Sequence, residues 1–252
     1  MSDLAAAAAR ILPLVDLTSL REEDREDDIT ALCAKALTRR GCVAAVCVLP
    51  RLVPAARRAL AGTPVRVATV ANFPAGDDDP QRAAAEVEAA VAGGADEVDV
   101  VFPWRAFLAG QAGHGRRLVA ACRAAAGARL LKVILETGAF PGGAQVTAAA
   151  HEAVEGGADF LKTSTGKREP GATPEAVAAL LGVIAATRGA RAQRPVGLKV
   201  SGGVRTTAQA AACLAQADAA LGPAWASPRT LRFGASALLD DLLAHLQGRP
   251  TP

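Results

Sequence analysis

The stretch AVEGGADFLKT, residues 153–163, echoes an earlier one, AVAGGADEVDV, residues 90–100. Each reads as the end of an alanine-rich helix, a Gly-Gly stop, an Ala-Asp step and a short strand. A helix that stops and feeds a strand, twice in one register, is a unit of alternating α/β architecture. Working outward, eight short apolar runs recur along the chain, at 11–18, 43–50, 65–73, 95–102, 130–137, 158–165, 195–202 and 230–236. Most are nearly continuous in Val, Ile and Leu, as expected of parallel strands buried on both faces. Between them lie alanine-rich segments with helical spacing, such as 79–94 and 173–187, the latter opened by Thr173-Pro174. Eight alternations in 252 residues predict a single (β/α)8 TIM barrel domain over 1–252. The rival is a doubly wound open sheet, which announces itself with GxGxxG after the first strand. Here that place holds DLTSLREED, without glycine.

Composition excludes several classes of function. The chain carries 28 basic and 25 acidic residues, a net charge of +3, with no basic block. Nucleic-acid binding wants a clustered basic face, so no nucleic-acid partner is expected. No apolar run approaches the roughly 18 residues of a membrane span. The N-terminal apolar segment is cut by Arg10, Pro13 and Asp16 and lacks the signal-peptide pattern. The cysteines (33, 42, 47, 122 and 213) are odd in number and show no CxxC, so reduced thiols in a cytoplasmic protein are expected. His114, His151 and His245 are scattered, without HxH or HExxH, and no metal site is expected.

The basic residues are distributed unevenly by type. Only Lys35, Lys132, Lys162, Lys167 and Lys199 are lysine; the rest are arginine. A guanidinium stays protonated and cannot attack a carbonyl, whereas a lysine with a lowered pKa can. Side chains alternate along a strand, so Lys162 and Ser164 share a direction on the sixth strand, and Lys199 and Ser201 on the seventh. Both lysines stand near the C-terminal ends of their strands, where the active sites of these barrels lie. With strands about 4.8 Å apart, two inward ammonium groups repel each other, and burial adds to the effect, so one is expected to have a lowered pKa.

Acids accompany them. Asp16 closes the first strand, Glu136 nearly ends the fifth, and Asp99 falls on Lys162 when the two repeats are aligned. A buried acid is costly unless paired, and acids paired with lysines can relay protons. Lys132, of Glu136's parity, is expected in the same network. The glycine-bearing segments SGGVRTT (201–207) and FGAS (233–236) follow or end the seventh and eighth strands, the common phosphate position of these barrels. Thr165, Gly166 and Lys167 are placed to close that position from the sixth strand. The TGK triplet is not a P-loop, because no glycine stands five residues before Gly166 and Arg168 follows Lys167.

Taken together, FLKTSTGK, GLKVSGGVRT, GADEVDVVFP, VILETG, AAVCVLPR and LRFGAS resemble the 2-deoxyribose-5-phosphate aldolase family, in order, from about Leu12 to Leu239. The resemblance implies a metal-free, cofactor-free class I aldolase. Such an enzyme reversibly cleaves 2-deoxy-D-ribose 5-phosphate to acetaldehyde and D-glyceraldehyde 3-phosphate through a lysine Schiff base. It implies Lys162 as the Schiff-base lysine, Lys199 as the lysine that perturbs it, and Asp99 as their partner in proton transfer through water. Asp16 and Thr18 match the DLT that lines the pocket, and Cys47 matches a cysteine near the substrate. Gly166, Lys167, Gly202, Gly203, Gly234 and Ser236 match the phosphate end.

Two departures stand out. Ala237 follows Ser236 where many members carry a second serine, and the chain ends QGRPTP with no tyrosine anywhere, whereas some members end in a catalytic tyrosine. Residues 248–252 are expected to form a flexible tail of no catalytic weight. The competing readings are another Schiff-base barrel, transaldolase-like or acting on keto acids, and a sugar-phosphate-binding barrel without catalysis. Barrels of this kind are often homodimers, but no apolar surface stripe in the sequence decides the assembly.

Overall fold

The computed structural model describes residues 3–188 and 195–248. Eight strands close into a barrel: β1 (Val15–Ser19), β2 (Ala45–Val48), β3 (Arg66–Ala71), β4 (Glu97–Val101), β5 (Leu130–Ile134), β6 (Phe160–Lys162), β7 (Gly197–Ser201) and β8 (Leu231–Ala235). Every pairing is parallel, and β8 returns to β1. The strands lie where the apolar runs place them, and the expected (β/α)8 barrel is the fold. A short antiparallel ribbon, Leu37–Thr38 with Gly41–Cys42, was not anticipated.

Helices alternate with the strands. After α1 (Asp3–Ile11) come α2 (Glu26–Lys35), α3 (Val53–Ala59), α4 (Pro80–Ala92), α5 (Trp104–Leu108), α6 (His114–Ala126), α7 (Gly143–Glu155), α8 (Pro174–Thr187), α9 (Thr207–Leu221) and α10 (Leu238–Leu246). Their starts follow local chemistry. Thr173 accepts the Ala176 N–H at 3.2 Å with Pro174 in the first turn, and Asp79 accepts the Arg82 N–H at 2.9 Å ahead of Pro80. Thr206 and Gln209 form a capping box on α9. Arg249 to Pro252, most of the expected tail, lie outside the described residues.

The repeat that opens the sequence reading is a structural module. In each copy the second glycine, Gly94 or Gly157, turns the chain with φ of 101°, a conformation that side chains beyond glycine rarely adopt. The aspartate two residues on then does the same two jobs. Asp96 accepts the Val67 N–H at 3.0 Å and pairs with Arg57 at 2.8 Å; Asp159 accepts the Leu131 N–H at 2.9 Å and pairs with Arg123 at 2.6 Å. Each copy thus pins the start of one strand to the start of the strand before it and to the helix that leads into that earlier strand, α3 or α6. The register of β4 and β6 is set in the same way, which brings Asp99 and Lys162 to the same height.

Outward-facing Val, Ile and Leu of the strands pack against apolar stripes on the helices and make a continuous core, including Val46, Val98, Val100, Leu131, Val133, Leu161, Leu198 and Val200. The barrel interior is different. Asp16, Glu97, Asp99, Lys132, Lys162, Lys199 and Arg232 are all buried there. A TIM-barrel interior ordinarily fills with apolar layers; a charged one must be matched group for group.

Candidate active site

Strand register sets the geometry. Lys162 is the direct partner of Lys199 across β6 and β7, Asp99 of Lys132 across β4 and β5, and Arg232 of Lys199 across β8 and β7. Asp99 is the hub. Its Oδ2 receives Lys162 Nζ at 2.8 Å and Lys199 Nζ at 2.7 Å, and its Oδ1 receives Lys132 Nζ at 2.7 Å. Lys199 Nζ also meets Asp16 Oδ2 at 2.6 Å as an ion pair. Lys132 closes on Glu97 at 2.7 Å. Arg232 forks onto both carboxylate oxygens of Glu97 and reaches Asp16.

Four basic groups therefore face three carboxylates. If every acid is ionised, neutrality requires one base to be uncharged. Lys162 is the least held of the four, with one carboxylate oxygen that it shares with Lys199. Burial works against its charge and Lys199 repels it; together they outweigh Asp99 and hold its pKa below that of an ordinary lysine. Burial opposes charge on Lys199 as well, but Asp16 and Asp99 overcome it, and its pKa is raised. Lys132 is likewise raised, because Asp99 and Glu97 outweigh its burial. Burial also opposes ionisation of Asp99, and its three lysine neighbours reverse this, leaving it a carboxylate well below the usual range. Asp16 is lowered in the same way, by Lys199, Arg232 and Lys132 against its burial.

The expectation that one lysine of the pair is perturbed holds, and the structure singles out Lys162. Lys132 joins the network as expected, but Glu136 does not. The strand ends at Ile134, and Glu136 takes a left-handed turn (φ 60°) that swings its carboxylate to the Thr165 hydroxyl at 2.6 Å and the Thr165 N–H at 3.2 Å. Glu136 thereby fixes the loop after β6. Sequence reasoning missed Glu97 and Arg232. Glu97 has the parity of Asp99, two residues before it, and Arg232 the parity of Gly234, so the alternation that found the lysines could have found both.

The remaining predicted residues lie around the same C-terminal mouth. Cys47 is fully buried and in register with Thr18, whose hydroxyl bonds the Asp16 carbonyl at 2.8 Å; burial pushes its thiol pKa up. Gly234 lies beside Lys199: a Cβ there would stand 2.9 Å from Lys199 Cε and 3.0 Å from Ser201 Cβ. Its bareness makes room for the lysine. Thr165 Oγ1 accepts the Lys167 N–H at 3.0 Å, and Lys167 Nζ crosses to the Leu20 carbonyl at 2.9 Å. Gly166, Gly202 and Gly203 all take left-handed φ, and Gly202 packs on Ser164 and Gly171, joining the loops after β6 and β7. Ser236 is exposed ahead of α10, whose N-cap, Ala237, has no side-chain cap.

The arrangement offers a buried amine of lowered pKa, a carboxylate that contacts it, and a second lysine locked in the charged state. That set can form an imine with a carbonyl compound and move a proton beside it.

Comparison with known proteins agrees. The model for "DeoC/LacD family aldolase" matches residues 10–244. A candidate deoxyribose-phosphate aldolase from Toxoplasma gondii ME49 superposes with a TM-score of 0.88 at 26% identity, over 97% of this chain and 95% of that one. Another from Coccidioides immitis gives 0.78 at 29% identity, over 92% and 85%. A tetrameric deoxyribose phosphate aldolase from Aeropyrum pernix, at 21% identity, shares the fold with a TM-score of 0.73 over 97% and 92%. With the family pattern matched over nearly its whole length and a lysine–aspartate cluster at the barrel mouth, the chain belongs to the DeoC/LacD family of aldolases.

Proposed function

We propose that the chain cleaves 2-deoxy-D-ribose 5-phosphate reversibly to acetaldehyde and D-glyceraldehyde 3-phosphate, with Lys162 as the Schiff-base nucleophile. The observation that carries this reading is the Lys162–Asp99–Lys199 cluster, in which Lys162 is the lysine whose pKa is lowered. The neutral amine of Lys162 attacks C1 of the open-chain sugar; the hydroxyl of the resulting carbinolamine takes up a proton from solvent and leaves as water, which gives an iminium. That iminium puts a fourth positive charge back among three carboxylates. Breaking C2–C3 converts it to a neutral enamine and restores balance, so the surrounding charges favour cleavage.

As C2–C3 breaks, the C3 hydroxyl proton passes through a water to the Asp99–Lys199 pair, and glyceraldehyde phosphate leaves. The pair returns a proton to C2 of the enamine, and water hydrolyses the resulting iminium to acetaldehyde and the free amine. Asp16 and Thr18 line the pocket, and Cys47 stands against the same cluster. The backbone N–H groups of Gly203 and Ser236 meet no acceptor among the described residues; with Gly166, Lys167, Gly202 and Gly234 they surround the place for the phosphate, which orients the sugar.

A homodimeric assembly and a cytoplasmic location complete the proposal; the five cysteines are free thiols, as a reducing compartment requires. The test is a turnover assay offering deoxyribose 5-phosphate, a ketose phosphate and a pyruvate-derived keto acid in parallel. Release of acetaldehyde from the first, with little turnover of the others, is expected. Preference for a ketose or keto-acid donor would move the chain to the transaldolase-like or keto-acid reading.

A further inference from the structure

The opposite mouth of the barrel holds a cavity of about 690 Å³, within the range of small-molecule sites. Arg66, Glu97 and Leu130, which line it, are the first residues of β3, β4 and β5, so it opens at the N-terminal ends of the strands. Of its lining, only Glu97 and Arg232 belong to the charge network of the active site. The carboxylates in its wall are already committed. Asp96 holds Arg57 at 2.8 Å and Arg129 at 3.4 Å, Asp159 holds Arg123 at 2.6 Å, and Glu97 holds Arg232 and Lys132.

Positive charge is in excess around these acids. Arg66 reaches Asp96 only at 3.9 Å, and Arg229 makes no ion pair among the described residues, yet both line the cavity beside Arg129. Guanidinium groups present flat, forked donors that suit phosphate and carboxylate oxygens. Their convergence on one concave space, with its acids taken, calls for negative charge from a ligand.

We propose that this N-terminal mouth binds a small multivalent oxyanion, a phosphate or a polycarboxylate, between Arg66, Arg129 and Arg229, with Arg232 as its inner wall. Arg232 also begins a continuous run of ion pairs, through Asp16, Lys199 and Asp99 to Lys162. Negative charge added at Arg232 favours the protonated form of Lys162. If Lys162 is the nucleophile, as proposed above, a bound anion slows turnover at neutral pH without competing with the sugar.

Calorimetric titration of the full chain at low salt, with inorganic pyrophosphate and with propane-1,2,3-tricarboxylate, tests the site directly. One equivalent of at least one probe is expected to bind, and the better binder names the ligand class. Arg229→Glu should weaken binding at least tenfold, while Lys167→Ala at the other mouth leaves it intact. The pair Arg66→Ala with Arg129→Ala should do the same; Arg229→Glu, on an exposed side chain, serves if that pair fails to fold. No binding to the wild type, affinity unchanged in Arg229→Glu, or weakening confined to Lys167→Ala would overturn the proposal. Binding is read without turnover, so its outcome is independent of the aldolase reading.

Discussion

Asp99 and Lys162, 63 residues apart and at the same position of two copies of one βα unit, meet at 2.8 Å inside the barrel mouth. The repeat pins both strands at one height, and the barrel's closure turns equal height into contact. That contact, with Lys199 on the same oxygen, makes Lys162 a buried amine that holds its proton poorly.

Replacing Lys162 by methionine keeps an unbranched, uncharged side chain in the cluster but removes the nucleophile. Turnover should fall by roughly four orders of magnitude or more, while the melting temperature stays within a few degrees of wild type. Steady-state assay and thermal melting check both. Retained turnover would remove Lys162 from the chemistry.

Lys199 acts on Lys162 partly through repulsion. Lys199→Met removes that cation, so the pKa of Lys162 rises and the acidic limb of the pH–rate profile moves to higher pH. Turnover at neutral pH should drop by roughly 10²-fold, with partial recovery at alkaline pH. A profile that drops without moving would mean that Lys199 donates protons but does not tune its neighbour.

Asp99 ties stability to pH. A free aspartate titrates near about 3.9, and in the fold Asp99 and Asp16 titrate lower. The stabilisation is therefore whole above about pH 5 and lost as pH falls through the unfolded value toward the folded ones. Asp99→Asn strands three buried lysines and should cost about 3–5 kcal/mol at pH 7. It should also flatten the acid limb of the stability curve. Urea unfolding at several pH values reads both, and an unchanged acid limb would contradict the charge assignment.

How far these groups were legible in the sequence depends on what each is paired with. Period-two alternation places Lys162, Lys199 and Asp99 inward, and the repeat places two of them at one height. The eight apolar runs and Gly-Gly stops make the barrel readable. The pairing of Asp16 with Arg232 was not, because Arg232 sits in an apolar run whose glycines drew attention to phosphate instead. Glu136 was misplaced for a local reason: a left-handed residue just past a strand breaks the alternation on which the parity argument rests. Which lysine gives up its proton is also beyond the sequence pattern, since it follows from a count of contacts around Asp99.

Two small residues near β8 offer sharper tests. Gly234→Ala pushes a methyl carbon against Lys199 Cε and should cost about 1–3 kcal/mol, with a larger effect on turnover than on sugar binding. A variant of normal turnover would show that Lys199 has room to spare.

Ala237 leaves the N-terminus of α10 uncapped. Ala237→Ser should add about 1 kcal/mol of stability and raise the preference for phosphorylated over free deoxyribose. Stability gained without any change in that preference would place Ser236 and residue 237 away from the phosphate.

The most direct test of the account is reductive trapping. The chain is incubated with acetaldehyde, reduced with borohydride and digested, and the added ethyl group is located by mass spectrometry. The account predicts modification of Lys162, absent from Lys162→Met and suppressed below neutral pH. Ethyl groups spread over Lys35, Lys167 and the amino terminus, with Lys162 untouched, would contradict it.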